Sequence, residues 1–163
     1  MKIEDLLRDD GTAILDEAAP SIGRLEHYRR DGAEETRRRV EALYHHVVRA
    51  VAARDLDGLL AHAARIARER FEAGFEMSEV QSAFATLEDA ISRRALAKLP
   101  LDELAWGLGL VGTALAHARG EMWRTFATLA PRDHAAGVDL TPLFHRTDWP
   151  IRMRPADDLV YPV

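Results

Sequence analysis

Apolar residues recur three and four positions apart along most of residues 1–130, which is the spacing of one face of an α-helix. Three well-marked stripes are Val40, Leu43, Tyr44, Val47 and Val51; Leu56, Leu59, Leu60, Ala63, Ile66, Ala67 and Phe71; and Val80, Phe84, Leu87 and Ile91. No segment alternates with the period of two that is typical of a β-strand. The pattern predicts an all-α fold of about five to six helices, in a globin-like or simple bundle arrangement.

Further helices are expected on either side of these stripes. One shorter helix should run from Ile3 to about Ala18 and another from Ser21 to Arg30. The last helix should begin at Leu99-Pro100-Leu101-Asp102, where proline suits the first turn, and end near Ala130. Its apolar stripe consists of Leu101, Leu104, Leu108, Val111, Leu115, Met122, Phe126 and Leu129. At 1.5 Å per residue that helix would be roughly 45 Å long, so it must cross the whole domain or kink.

A glycine between two aromatic residues marks a corner between two of the helices. Gly74 can end the first helix, because glycine adopts the left-handed conformation that a helix C-terminus often needs. Phe71, Phe75 and Phe84 are expected to close this corner together.

Two helix starts show the spacing of a capping box, in which a side chain at the N-cap and one three residues later satisfy backbone N–H groups. Ser78-Glu79-Val80-Gln81 is the first, with Ser78 and Gln81 as the capping pair. Asp31-Gly32-Ala33-Glu34 is the second. Both predict the residue at which a helix begins.

The composition changes after residue 130. Five of the seven prolines, Pro131, Pro142, Pro150, Pro155 and Pro162, lie in the last segment. Proline blocks helix and favours extended chain. We therefore predict a helical sensor-like domain over 1–130 and an irregular, proline-rich tail over 131–163. The tail keeps large apolar residues, so we expect it to dock on the domain or on a partner.

Charge and cysteine content exclude several classes of protein. The 163 residues suit one domain, and the net charge of -5 gives no general attraction to nucleic acid or to anionic membranes. The absence of cysteine removes disulfides and thiolate chemistry and fits a reducing cytoplasm. No apolar run reaches the ~20 residues of a membrane span, and the acidic start lacks a signal peptide's apolar segment. We expect a cytoplasmic protein.

Gly107, Gly109 and Gly112 match the dinucleotide fingerprint G-x-G-x-x-G letter for letter. That fingerprint requires a strand before the glycines and a helix after them. Here the preceding residues continue a helical stripe. We therefore expect the three glycines to lie inside a helix, where they allow close packing against another helix.

No constellation of residues predicts catalysis. The histidines show no zinc-binding spacing, and the adjacent pair His45 and His46 should diverge on a helix. His62 and His117 lie beside the apolar stripes, so surface or boundary positions are expected for both. His62 is the best candidate for a phosphotransfer histidine. Either His62 or His117 is the candidate for a haem ligand. No catalytic residue, metal site or cofactor is predicted.

The segment Arg68–Leu96 resembles the N-terminal domain of the RsbR/RsbRD family, the RsbT co-antagonists of bacterial stress signalling. The resemblance covers residues 1–130. Members of the family usually continue into a STAS domain, and the chain departs from that pattern because a proline-rich segment follows instead. The positions that carry it form the helix corner: Arg70, Phe71, Gly74, Phe75, Ser78, Glu79, Val80, Phe84, Leu87 and Glu88.

The resemblance implies a non-catalytic sensor domain of globin-like or bundle fold without haem. Such a domain would often be a homodimer and would act by binding a regulatory protein or a small ligand. The alternative is a haem- or metal-binding globin-like carrier or sensor.

Overall fold

The computed structural model describes residues 1–130 and shows them to be all-α. The prediction of an all-helical domain is thus confirmed, while the predicted tail 131–163 lies outside the described residues. The described part contains seven helices: α1 (Ile3–Asp9), α2 (Gly11–Ile22), α3 (Glu26–Asp31), α4 (Ala33–Ala53), α5 (Asp57–Glu72), α6 (Met77–Lys98) and α7 (Leu101–Leu129).

The first predicted helix is divided in two. Asp10, at φ -99° and ψ 7°, ends α1 and precedes α2. The turn lets Gly11 approach Tyr44, whose ring carbon Cε1 would lie 3.1 Å from a Cβ at that glycine. The buried Tyr44 hydroxyl donates to the Leu7 carbonyl. The break therefore fits a tight contact with α4, which the local pattern does not reveal.

The helix expected over Ser21–Arg30 was wrong in its bounds. α2 continues through Pro20 to Ile22, and α3 begins only after Leu25, which has extended backbone. The capping box predicted at Asp31 was also wrong. Gly32, at φ +89°, precedes α4 without a side-chain cap, and the Asp31 carboxylate pairs with Arg39 instead.

The predicted apolar stripes form the core. The long helix α7 packs against α5, α6 and α4, while α2 packs against α4 and α6. Every predicted stripe residue of α4 and α6 is buried. Leu101 was wrongly expected on the buried face, since it is 87% exposed at the first residue of α7. The ends of α7 otherwise match the prediction.

None of the helices in residues 1–130 combines the length and apolar character that a membrane crossing requires.

Candidate functional site

The corner between α5 and α6 is built on Gly74, as predicted. Gly74 has φ +78°, and its N–H donates to the Phe71 carbonyl at 3.1 Å. The next N–H, of Phe75, reaches back to the Arg70 carbonyl at 2.9 Å. These two bonds are those of a Schellman motif, which satisfies the last carbonyls of a helix.

The capping box predicted at Ser78 is not formed. α6 begins at Met77 after Glu76, so Ser78 already lies inside the helix. The Ser78 hydroxyl contacts the Glu76 carboxylate at 3.4 Å, and the Gln81 amide lies 3.6 Å from the Met77 sulfur. The chain enters α6 two residues earlier than the box requires.

Glu79, in the first turn of α6, ties the corner to α3. One carboxylate oxygen accepts from the His27 backbone N–H at 3.0 Å, and the other lies 2.5 Å from His27 Nδ1. Burial disfavours the Glu79 carboxylate, but the two hydrogen bonds and the His27 charge outweigh it and hold the Glu79 pKa below its usual value. Glu79 is therefore a structural link between segments far apart in sequence.

The two aromatic rings that bracket Gly74 have different partners. Phe71 packs edge-on against Phe126 of α7, with ring centres 5.6 Å apart. Phe75 packs against His27 and Tyr28 of α3, at 4.8 and 5.2 Å. The corner is thus held from two sides. Phe84, which was expected to close the corner with these two rings, is buried in the same apolar core as Phe75, and Phe71 packs against that core.

The remaining positions of the helix-corner signature divide between core and surface. Val80, Phe84 and Leu87 are buried. Glu88 pairs with Arg119 of α7 at 3.0 Å. Arg70 is the unusual member, because it is charged and only 6% exposed.

Arg70 lies at the wall of a cavity of about 260 Å³. Residues of α2, α3, α4, α5 and α6 line the cavity. Its lining is aliphatic on one side and contains four arginines and two glutamates on the other: Ile22, Tyr28, Glu35, Arg38, Arg39, Val40, Ala42, Leu43, His62, Arg65, Ile66, Glu69, Arg70 and Ala83.

Three of the cavity's four arginines are paired. Arg38 and Arg39 contact Glu35 at 2.5 and 2.7 Å, and Arg65 contacts Glu69 at 2.5 Å. Within residues 1–130, Arg70 has no carboxylate within ion-pair distance, and its Nε has no hydrogen-bond partner.

Aromatic rings support the Arg70 guanidinium, which lies 5.1 Å from the centre of the Phe75 ring and 6.0 Å from that of Tyr28. Such cation–π contacts stabilise a guanidinium partly. Burial raises the Tyr28 pKa, and both the Arg70 charge and a hydrogen bond from Arg70 to the Tyr28 hydroxyl oppose that rise. Tyr28 is therefore an uncharged hydroxyl beside a buried cation.

His62 also lines the cavity, and it is buried at 5% exposure. The predicted surface or boundary position was wrong for His62. Its ring stacks on His46 at 4.2 Å, and Arg65 lies 2.9 Å from its Nδ1. Because arginine can only donate, Nδ1 must accept and the ring proton resides on Nε2. That N–H is buried and has no partner within the described residues.

The electrostatic surroundings keep His62 neutral. Burial is the main cause, followed by the charges of His46 and Arg65, and together they lower the His62 pKa to about 4. A buried neutral ring is not the exposed histidine that phosphotransfer requires. His117, by contrast, is exposed, and its Nδ1 lies 2.8 Å from the Thr113 carbonyl oxygen.

The three glycines of α7 have three different environments inside that helix. A Cβ on Gly107 would lie 2.9 Å from Cβ of Ile3, so α1 and α7 approach closely there. A Cβ on Gly112 would have ordinary contact with Glu88, and one on Gly109 would meet nothing within 4 Å. Of the three glycines, therefore, only Gly107 lies at a close contact between helices within the described residues.

Gly109 belongs to an exposed apolar face of α7, which we call the tryptophan face. It consists of Trp106, Gly109, Thr113, Ala116, Gly120 and Trp123. Trp106 is 63% exposed and Trp123 60% exposed. An apolar groove of about 430 Å³ adjoins Trp106 and Gly109 and reaches Val51 and Leu56.

Sequence reasoning named Arg70 as part of the corner but did not foresee its burial. The signal was present, because Leu59, Ile66 and Arg70 share one helical face at spacings of seven and four. The tryptophan face was not predicted, because helical periodicity indicates which apolar residues are buried and does not indicate which of the others share an exposed face.

Within residues 1–130 no group of three or more histidine or carboxylate side chains is placed to hold a metal ion. Compared with family models, with curated proteins and with solved structures, the chain has no match. The resemblance to RsbR-type N-terminal domains therefore stays a prediction.

Proposed function

We propose that this chain is a non-catalytic bacterial regulatory domain that forms a homodimer and acts by binding a regulatory protein or a small ligand. The observation that carries the proposal is the tryptophan face of α7. Large apolar patches on a protein surface mark interaction sites, and exposed tryptophans are enriched at such sites. The resemblance to RsbR-type sensor domains agrees with this function.

A second copy of the chain is the partner that fits the face. Its residue types are symmetric about the point between Ala114 and Leu115. Two helices paired antiparallel about that point would place Trp106 level with Trp123 and Gly109 level with Gly120 of the second copy. A two-fold interface must be self-complementary in this way. The remaining pair is Thr113 with Ala116.

Charge and area agree with the same pairing. Arg124, which is exposed, would lie about one helical turn from the exposed Asp102 of the second copy. The two helix dipoles would be antiparallel. Four tryptophans would bury on the order of 600 Å², a substantial part of the roughly 1,200–2,000 Å² of a stable interface.

Native mass spectrometry of the full chain tests the dimer. We expect a species of twice the 18.2 kDa subunit. Trp106→Glu and Trp123→Glu should each yield monomer with unchanged helicity, because both side chains are exposed. The matched control Leu96→Glu alters an apolar residue of α6 that is 62% exposed, and it should remain dimeric. Monomer for the unaltered chain at micromolar concentration would refute the dimer.

Cysteine cross-linking tests the register, since the chain contains no cysteine of its own. A mixture of Gly109→Cys and Gly120→Cys chains should form a disulfide-linked pair. Each variant alone should not, because its cysteines would be about 16 Å apart along the helices and a disulfide spans roughly 4.4–6.8 Å between Cα atoms. Efficient cross-linking of each variant alone would contradict the antiparallel register.

The haem- or metal-binding alternative has His62 as its best ligand, because that ring is buried and neutral. Its Nδ1 accepts from Arg65, however, and its Nε2 carries the proton, so neither nitrogen offers a free lone pair in this arrangement. Titration with haemin distinguishes the two functions. A Soret band that is lost in His62→Gln would favour the carrier, and a spectrum of free haemin would favour the regulatory domain.

A further inference from the structure

We propose that the cavity around Arg70 binds a small organic carboxylate, with the carboxylate at Arg70 and His62 and the hydrocarbon part against α2 and α4. The proposal rests on the ligand-binding half of the function above. No residue of the tryptophan face lines the cavity, so the dimer can fail while this site stands.

Arg70 supplies the first argument, because a buried charge without a partner is costly. Removing an ion from water costs several kcal/mol, and buried arginines are normally paired. Within residues 1–130, Arg70 contacts aromatic rings instead of a carboxylate. The N–H groups of a guanidinium lie in one plane, as a fork that can bind a carboxylate through two parallel hydrogen bonds.

His62 supplies the second argument. Its Nε2–H is a buried donor without a partner among the described residues, and the ring lines the same cavity. A buried donor that lacks an acceptor costs about 1–3 kcal/mol. Arg70 and His62 together thus present donors only, and a bound carboxylate offers only acceptors.

The charges on the other helices agree with an anion. Asp31 of α3 and Glu35 of α4 are both engaged by Arg39. Glu69 of α5 is exposed and engaged by Arg65. With four arginines and two glutamates in the lining, the cavity keeps an excess of positive charge.

The size and the apolar wall select the class of anion. The cavity of about 260 Å³ is slightly below the usual range for drug-sized ligands, so the ligand must be small. Ile22, Val40 and Leu43 form an aliphatic wall that inorganic phosphate would leave uncovered. A carboxylate with a hydrocarbon body satisfies both sides of the cavity.

The charged and polar residues of the lining range from exposed to buried. Arg38 and Arg65 are exposed, whereas Arg70, His62 and Tyr28 are buried. An anion would therefore first meet Arg38 and Arg65 and then reach the buried Arg70 and His62. Positive charge along the path of an anion raises its rate of association.

Calorimetric titration of the full chain with benzoate and with hexanoate tests the proposal. At least one should bind with a dissociation constant in the millimolar range or below. Benzamide, which has the shape of benzoate without its charge, should bind at least tenfold more weakly. Binding of inorganic phosphate without either carboxylate, or no binding at all, would overturn the proposal.

Arg70→Met locates the site. Loss of a charged hydrogen bond should weaken carboxylate binding roughly ten- to hundredfold. The matched control Arg93→Met removes an arginine that pairs with Glu17 outside the cavity, and it should change affinity less than twofold. Circular dichroism checks that both variants are folded, and His62→Gln provides a second variant that should also weaken binding. Equal affinity for Arg70→Met and the unaltered chain would overturn the assignment.

Discussion

Two glycines of the domain, Gly74 and Gly112, differ in the backbone conformation that decides what alanine would do there. Gly74 has φ +78° and no heavy atom within 4 Å of an added Cβ, so only the backbone opposes substitution. Gly112 lies inside α7, and an added Cβ would be in ordinary contact with Glu88 at 3.5 Å. Space is available at both positions.

Gly74→Ala should lower the free energy of unfolding by about 1–2 kcal/mol, because an L-residue is strained in the left-handed region. Gly112→Ala should raise it by about 0.5–1 kcal/mol, because alanine restricts the unfolded chain and favours helix. Urea unfolding measures both changes. The same sign for the two variants would mean that packing, and not φ, governs the corner.

Single residues show where sequence reasoning was sound and where it stopped. The role of Gly74 was predictable, because the requirement for a left-handed residue is local. The burial of Arg70 and His62 was not predicted, because Arg70 is charged and His62 lies beside the apolar stripe of its helix, and both features are typical of surface residues. Arg70 contacts Tyr28 and His62 stacks on His46, and both of these partners lie on other helices.

Among the elements, the long helices were predicted well and their starts poorly. α4, α5, α6 and α7 have apolar stripes of several turns, and burial of those stripes drives their formation. Helix starts depend on one or two hydrogen bonds, and these can be made with distant partners. Glu79 illustrates the point, since its carboxylate binds His27 at a separation of 52 residues.

Glu79→Gln tests this link between α3 and α6. The variant keeps an acceptor but loses the charge, and it should lower the free energy of unfolding at pH 7 by about 1–2 kcal/mol. Because the folded protein depresses the Glu79 pKa, its contribution is present above the ordinary value of 4.5 and is lost as the pH falls through the folded value.

Urea unfolding at pH 7 and under acid conditions measures that difference. The unaltered chain and Glu79→Gln should converge in stability as the pH falls through the pKa of Glu79 in the folded protein, which lies below 4.5. Glu76→Gln is a suitable control, because Glu76 is exposed at the same corner. A difference that persists unchanged in acid would show that the shape of the side chain, and not its charge, holds α3 to α6.

For the whole molecule, the sequence predicted the order and class of elements but not which helices would enclose a cavity. The stripe of each helix specifies which side faces inward. It does not specify which other helix that side will contact. The stripe of α4, for example, does not indicate that α4 packs against α5, α7 and α2. The cavity is lined by five helices, α2 to α6, so it exists only once these helices have packed against one another.

His62, whose Nε2 has no hydrogen-bond partner among the described residues, should make the stability of the domain sensitive to acid. Burial, His46 and Arg65 are the main causes that lower the His62 pKa from 6.5 to about 4; Glu69 opposes them and Arg70 adds to the lowering. The unfolded chain therefore binds a proton more readily than the folded one between these values. Stability should fall as the pH decreases from 6.5 to about 4, by about 2 kcal/mol at pH 5.

His62→Gln should flatten this dependence, because glutamine keeps an acceptor for Arg65 and a donor but does not titrate. Urea unfolding at pH 7 and pH 5 should show a smaller loss for His62→Gln than for the unaltered chain. His117→Gln, which alters an exposed histidine of α7, should leave the loss unchanged. A full loss in His62→Gln would assign the acid sensitivity to other groups, and the neutral donor required for carboxylate binding would lose its support.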